Sequence, residues 1–95
     1  MRVEIKPSTS KGKKYTAIFY DGDKKVKTTH FGSAGMSDFT KHGDEERKQR
    51  YLDRHRAREN WNDKFSAGAL AKFILWNKPT LSTSIADYKK RFNLK

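Results

Sequence analysis

The dipeptide Asp21-Gly22, set between two alternating segments, constrains this chain more than any other feature. Asp-Gly accepts the positive φ angles of a tight turn, so alternating stretches on either side of it pair as a hairpin. Residues 14–20 place Tyr15, Ala17 and Phe19 on one face and Thr16, Ile18 and Tyr20 on the other. Residues 24–31 return with Val26, Thr28 and His30 opposite Thr29 and Phe31. Residues 1–6 alternate Val3 and Ile5 with polar neighbours and add a third strand. Three strands with one apolar face need a covering layer, and the remainder of the chain must supply it.

That layer reads as helical. Phe31-Gly-Ser-Ala-Gly-Met-Ser-Asp-Phe39 is a glycine-punctuated connector, expected to pack on the sheet through Phe31, Met36 and Phe39. Residues 44–60 read as a helix with Asp44, Glu45 and Glu46 in the first turn, where carboxylates favour the positive end of the macrodipole. Its apolar content is thin, Tyr51, Leu52 and Ala57, with Trp61 just beyond as a hinge between helices. Ser66 is the expected N-cap of a helix over residues 67–76 that carries Leu70, Phe73, Ile74 and Leu75. Trp76, a second hinge, and Asn77-Lys78-Pro79 close it, because proline pushes the preceding residue out of the α region. Thr80 or Ser82 caps a last helix to about Phe92, with Ile85, Tyr88 and Phe92 facing inward. The expected fold class is α+β, a three-stranded meander followed by three helices. At 95 residues it is one small basic domain, with meander and connector in 1–40 and the helical part in 41–95.

Composition narrows the function classes. Hydrophobic residues are 34% and charged residues 35%, yet six Phe, four Tyr and two Trp argue for a folded core over disorder. With no cysteine, a disulfide framework, a thiol nucleophile and a cysteine metal site are excluded. No apolar run approaches the roughly 20 residues of a membrane span, and no signal-peptide core opens the chain, so neither a membrane span nor secretion is expected. Net charge is +11, and residues 66–95 hold six basic residues against Asp87 alone.

Catalysis finds little support. His30, His42 and His55 accompany Asp38, Asp44 and Asn60, but no two histidines stand at helical or strand ligand spacing. A metal-dependent nuclease using His42, His55 and Asn60 is therefore the least supported reading; no metal, cofactor or small-molecule substrate is expected. Gly32-Ser-Ala-Gly35 follows neither nucleotide-loop pattern and reads as a turn letting the chain pass close under the sheet. The stronger signal is basic. Arg47, Arg50, Arg54 and Arg58 recur every three or four residues along one helix face, and Lys89, Lys90 and Arg91 form a second cluster with Lys95. Guanidiniums at that spacing suit phosphates or a carboxylate-rich protein surface. Tyr15, Phe19, Tyr20, Phe31 and Phe39 could stack on bases, though in so short a chain they more simply form the sheet's packing face.

HFGSAGMSDFTKH (30–42), DEERKQRYLDRHRARENWND (44–63), SAGALAKFILWNKPTL (66–81) and SIADYKKRF (84–92) together resemble a family of short uncharacterised proteins of nucleocytoplasmic large DNA viruses of algae and amoebae. Met36 stands where that family usually has an aromatic residue, and Ala71 where it often has serine. The resemblance implies a viral origin and a protein carried in the virion or made in quantity in the infected cell, and it transfers no active site. The expected function is a non-enzymatic virion component, a minor capsid or core-associated protein, docking through its Arg and Lys stripes on acidic partner surfaces: capsid proteins, viral DNA or both. Non-sequence-specific nucleic-acid binding is the alternative, since phosphate contacts supply most non-specific affinity.

Overall fold

The computed structural model describes residues 1–95. Three antiparallel strands, β1 (Arg2–Pro7), β2 (Lys13–Asp21) and β3 (Lys24–Ser33), lie in the order β1-β2-β3. The β2–β3 turn is Gly22-Asp23, with Asp21 paired to Lys24 and positive φ on Gly22 alone, the pattern of a II′ turn. Val3 pairs with Phe19 and Tyr15 with Phe31, so one sheet face carries Val3, Ala17, Phe19 and Phe31 into the core. The expected meander is present, and the fold is α+β.

Helices follow: α1 (Phe39–His42), α2 (Glu45–His55), α3 (Ala67–Leu70), a π turn (Ala71–Leu75) continuing α3, and α4 (Leu81–Arg91), and side chains of α3, the π turn and α4 join that face in the core. The short α1 was not anticipated. The Asp38 carboxylate caps it by accepting the Thr40 N–H at 3.0 Å, and Gly43 ends it at φ 61°, which moves the start of the helical part to residue 39. The expected helix over 44–60 is shorter, capped by Asp44 and finished at His55. Residues 56–60 offer no buried side chain to hold a further turn. The chain instead bends so that Trp61 and Phe65 reach the core, where Thr29 Oγ1 donates to the Phe65 carbonyl at 2.7 Å. Ser66 and Thr80 cap α3 and α4 through their hydroxyls as expected.

The π turn departs most from simple helical winding. The Trp76 N–H donates to the Ala71 carbonyl five residues back, and the wider turn buries Phe73, Ile74 and Leu75 in succession. Leu75 presses on Gly32, where an added Cβ would lie 2.8 Å from Leu75 Cδ1 and the φ is +80°. Gly32 is thus the point of close passage expected of the connector. Phe31 and Phe39 are buried as expected, but Met36 is 64% exposed. It sits on the outward bow of a connector whose Gly35 has φ +83°, so its side chain is carried away from the sheet. Trp61 and Trp76 pack on the core edge. No helix is long and apolar enough to cross a membrane.

Candidate functional site

The connector, α2 and the α3–π segment enclose a cleft of about 360 Å³ that takes in Ser37, Asp38, Tyr51, His55, Glu59 and Gly68. A neighbouring cleft of about 200 Å³ is lined by Met36, Ser37, Arg47, Arg50, Arg54 and Trp76. Met36, Ser37, Arg54 and Trp76 belong to both, so the two are continuous.

A column of rings stands beside them, Tyr51 and His55 lining the larger cleft and Trp76 lining both. Tyr51 lies parallel to Trp76, centroids 4.4 Å apart at 5°, and stacks on His55 at 4.2 Å on its other face. His42 closes the far end against Trp76 at 5.4 Å. The periodicity of α2 makes this possible, since Tyr51 and His55 are one turn apart on the same face. Glu59 Oε1 accepts a hydrogen bond from His55 Nδ1 at 3.1 Å, and the carboxylate rests directly over Gly68, where an added Cβ would be 1.5 Å from Oε2. Beneath, Lys14 Nζ meets Asp38 Oδ2 at 2.5 Å, both side chains nearly buried. Burial, reinforced by the Glu59 carboxylate and opposed by Arg54, pushes the Tyr51 hydroxyl up to about 12.

Arg47, Arg50 and Arg54 are exposed, enter one cleft and have no acidic partner within ion-pair distance. Of the nearby acids, Glu45 and Glu46 are exposed and form no ion pair with these arginines, and the others are engaged elsewhere. Asp44 caps α2, Asp53 accepts from Gln49 at 3.0 Å and faces Arg56 at 3.6 Å, and Glu59 serves His55. Arg58 does not join them: it lies in the turn beyond α2 and lines neither cleft. The second basic cluster is elsewhere. Arg91 is 3.6 Å from Asp87 and 4.5 Å above the Phe73 ring, Lys89 is half-buried, and Lys90 is exposed. Lys72 lies over Trp61 at 4.0 Å; burial, then Arg91, Arg56 and Lys48, hold its ammonium below the ordinary lysine range.

The histidines are kept apart. His30 Nδ1 is bonded to Thr16 Oγ1 at 2.8 Å on the sheet, while Trp76 and Tyr51 intervene between His42 and His55. Asn60 turns back to its own loop, accepting the Asn62 N–H at 3.1 Å, so the triad of His42, His55 and Asn60 does not assemble. No three His, Asp or Glu side chains are grouped to hold a metal ion. Among the aromatic residues weighed for base stacking, Phe19, Phe31 and Phe39 are core, Tyr15 packs against it, and Tyr20 carries the Arg2 guanidinium at 4.1 Å. Sequence reasoning found the arginines and missed Tyr51, Glu59 and Trp76 as one wall. The spacing of Tyr51, His55 and Glu59 at successive helical turns was the available signal.

A family of unknown function, DUF5754, matches residues 3–55, more than half of the chain. The chain belongs to this family. The DUF5754 match runs from β1 to the last residue of α2, and so contains Met36, Ser37, Arg47, Arg50 and Arg54 but not Trp76. No curated protein and no solved structure matches the chain.

Proposed function

We propose that this DUF5754 protein is a non-enzymatic docking module that binds an acidic macromolecular surface through Arg47, Arg50 and Arg54. One observation carries the reading: three exposed guanidiniums share a cleft and none of them is paired with a carboxylate. Uncompensated like charges cost a fold free energy and are retained where a counter-charge is supplied from outside. Arg58 and Lys90, both exposed, extend the positive surface, with Lys89 and Arg91 as its secondary part. The viral setting belongs to the same proposal: the partner is a capsid protein or the packaged DNA, and the protein is a minor virion component. Its detection in infected-cell extracts but never in purified particles would refute that setting.

The docking face is tested by Arg50→Glu combined with Arg54→Glu. The double variant keeps its far-ultraviolet circular dichroism and loses binding to a polyanion, in a manner that weakens as salt rises for the wild type. Full binding by a folded double variant moves the contact to Lys89, Lys90 and Arg91. Unfolding shows that the arginines serve the fold.

A further inference from the structure

We infer that the acidic partner is a single-stranded nucleic acid, one unpaired nucleotide of which seats in the double cleft, its phosphate among Arg47, Arg50 and Arg54 and its base beside Tyr51 and Glu59. The inference rests on the docking reading above and narrows it. The charge alone would suit a carboxylate-rich protein equally well. The space does not. A carboxylate on a short side chain needs only the arginine mouth, whereas the adjoining cleft of about 360 Å³ falls at the lower end of sites that enclose a small organic molecule, roughly 300–1,000 Å³. The two spaces meet at Ser37, Met36 and Trp76, so one ligand can place an anionic end in the first and a flat uncharged end in the second.

The polar groups in the larger cleft support a base there. Tyr51 is only 9% exposed and lines the cleft, and its hydroxyl makes no hydrogen bond in the protein and is not among the buried atoms left unpartnered, so it stays open to the cleft, whereas the buried Tyr88 hydroxyl donates to the Lys64 carbonyl at 2.6 Å. An accessible phenol hydroxyl can donate to or accept from a ligand that enters the cleft. Glu59 uses one oxygen on His55 and leaves the other over the bare backbone of Gly68. A hydroxyl and a carboxylate lining one cleft can meet the mixed donor and acceptor edge of a nucleobase. Both faces of Tyr51 are already covered by rings, so the base would enter edge-first, with Met36, 64% exposed, as its apolar cover. A base held in a duplex cannot enter such a cleft, which is why the strand must be single.

The test is fluorescence anisotropy with a labelled strand of about ten nucleotides, compared with an abasic strand of equal length, the matching duplex, polyglutamate and a nucleoside monophosphate. The intact strand binds about tenfold more tightly than the abasic one, the order of the one or two net hydrogen bonds an edge-on base makes. Gly68→Ala, whose new methyl must displace the Glu59 carboxylate, removes that difference without weakening the abasic strand. Tyr51→Phe, which keeps the stacked ring, replaces it if Gly68→Ala does not fold. Equal binding of intact and abasic strands overturns the inference, and the docking reading survives if Arg50→Glu with Arg54→Glu weakens both. Tighter binding of duplex or polyglutamate than of the single strand overturns the inference alone. A nucleoside monophosphate bound as tightly as the strand overturns the polymeric assignment. No binding to any of these polyanions overturns both.

Discussion

Replacing Lys14 with methionine isolates the buried ion pair that supports the cleft floor. Lys14 Nζ and Asp38 Oδ2 are 2.5 Å apart, with side-chain exposures of 10% and 3%. Methionine keeps most of the stem that crosses Gly32 and removes the ammonium, stranding the Asp38 carboxylate with the Thr40 backbone N–H and hydroxyl as its only partners. Breaking one side of a buried pair costs about 3–5 kcal/mol, most of it the desolvation of the charge left behind. A domain of this length is stable by only about 5–14 kcal/mol, and each kilocalorie shifts the midpoint by roughly 4–8 °C. Lys14→Met should therefore lower the melting temperature by roughly 12–40 °C. The sharper expectation concerns the pair. Adding Asp38→Asn removes the stranded charge while keeping an acceptor for Thr40, so the double variant should be more stable than Lys14→Met alone. Urea unfolding followed by tryptophan fluorescence, with an unchanged slope, measures all four corners of the cycle. A Lys14→Met variant within about 1 kcal/mol of wild type, or a double variant less stable than it, would refute the argument that desolvation of Asp38 dominates.

Gly32→Ala should destabilise more than Gly35→Ala in thermal melts. Both carry positive φ, worth roughly 1 kcal/mol to a residue with a Cβ, but only Gly32 also meets Leu75 at 2.8 Å; equal losses would show that Leu75 yields freely. Phe73→Ala removes a core ring packed edge-on to Phe92 at 5.6 Å and should cost about 3–5 kcal/mol by denaturant titration; a cooperatively folded variant of near wild-type stability would place that face at a partner's surface. Tyr51 and Tyr88 are both held protonated by burial, Tyr51 up to about 12. The folded state thus keeps protons that the unfolded state releases from about pH 10 upward, so stability is full below pH ~10 and falls as pH rises toward 12. Tyr51→Phe should make that fall shallower, and an unchanged slope would assign the loss to other groups.

The local signals in the sequence carried the sheet and the starts of every helix but α1. The Asp21-Gly22 signal located the hairpin, whose turn is Gly22-Asp23, and Ser66 and Thr80 cap their helices through contacts only three residues long. The end of α2 was not legible, because Ala57 to Asn60 are acceptable helix residues and only the pull of Trp61 and Phe65 into a distant core stops the winding. Met36 was misplaced for the same reason: its fate depends on the path the glycines allow, not on its own apolarity. The arginine face was half legible. Spacing put Arg47, Arg50 and Arg54 together, but the cleft they enter is made by Trp76 and the connector, which no periodicity joins to α2.

The π turn makes chain length, more than side-chain identity, the quantity that aims Trp76. Its extra residue is what lets the indole lie flat on Tyr51 while Ile74 and Leu75 stay inside. Excision of a single residue between Ala71 and Leu75 would restore ordinary winding and swing everything that follows by about 100°. The ring column would then lose its Trp76 member, and both clefts would lose the indole they share, although the other lining residues had been preserved. In this segment, relatives can exchange apolar side chains of similar size with little consequence, but a one-residue gap or insertion would separate those that keep the double cleft from those that have abandoned it.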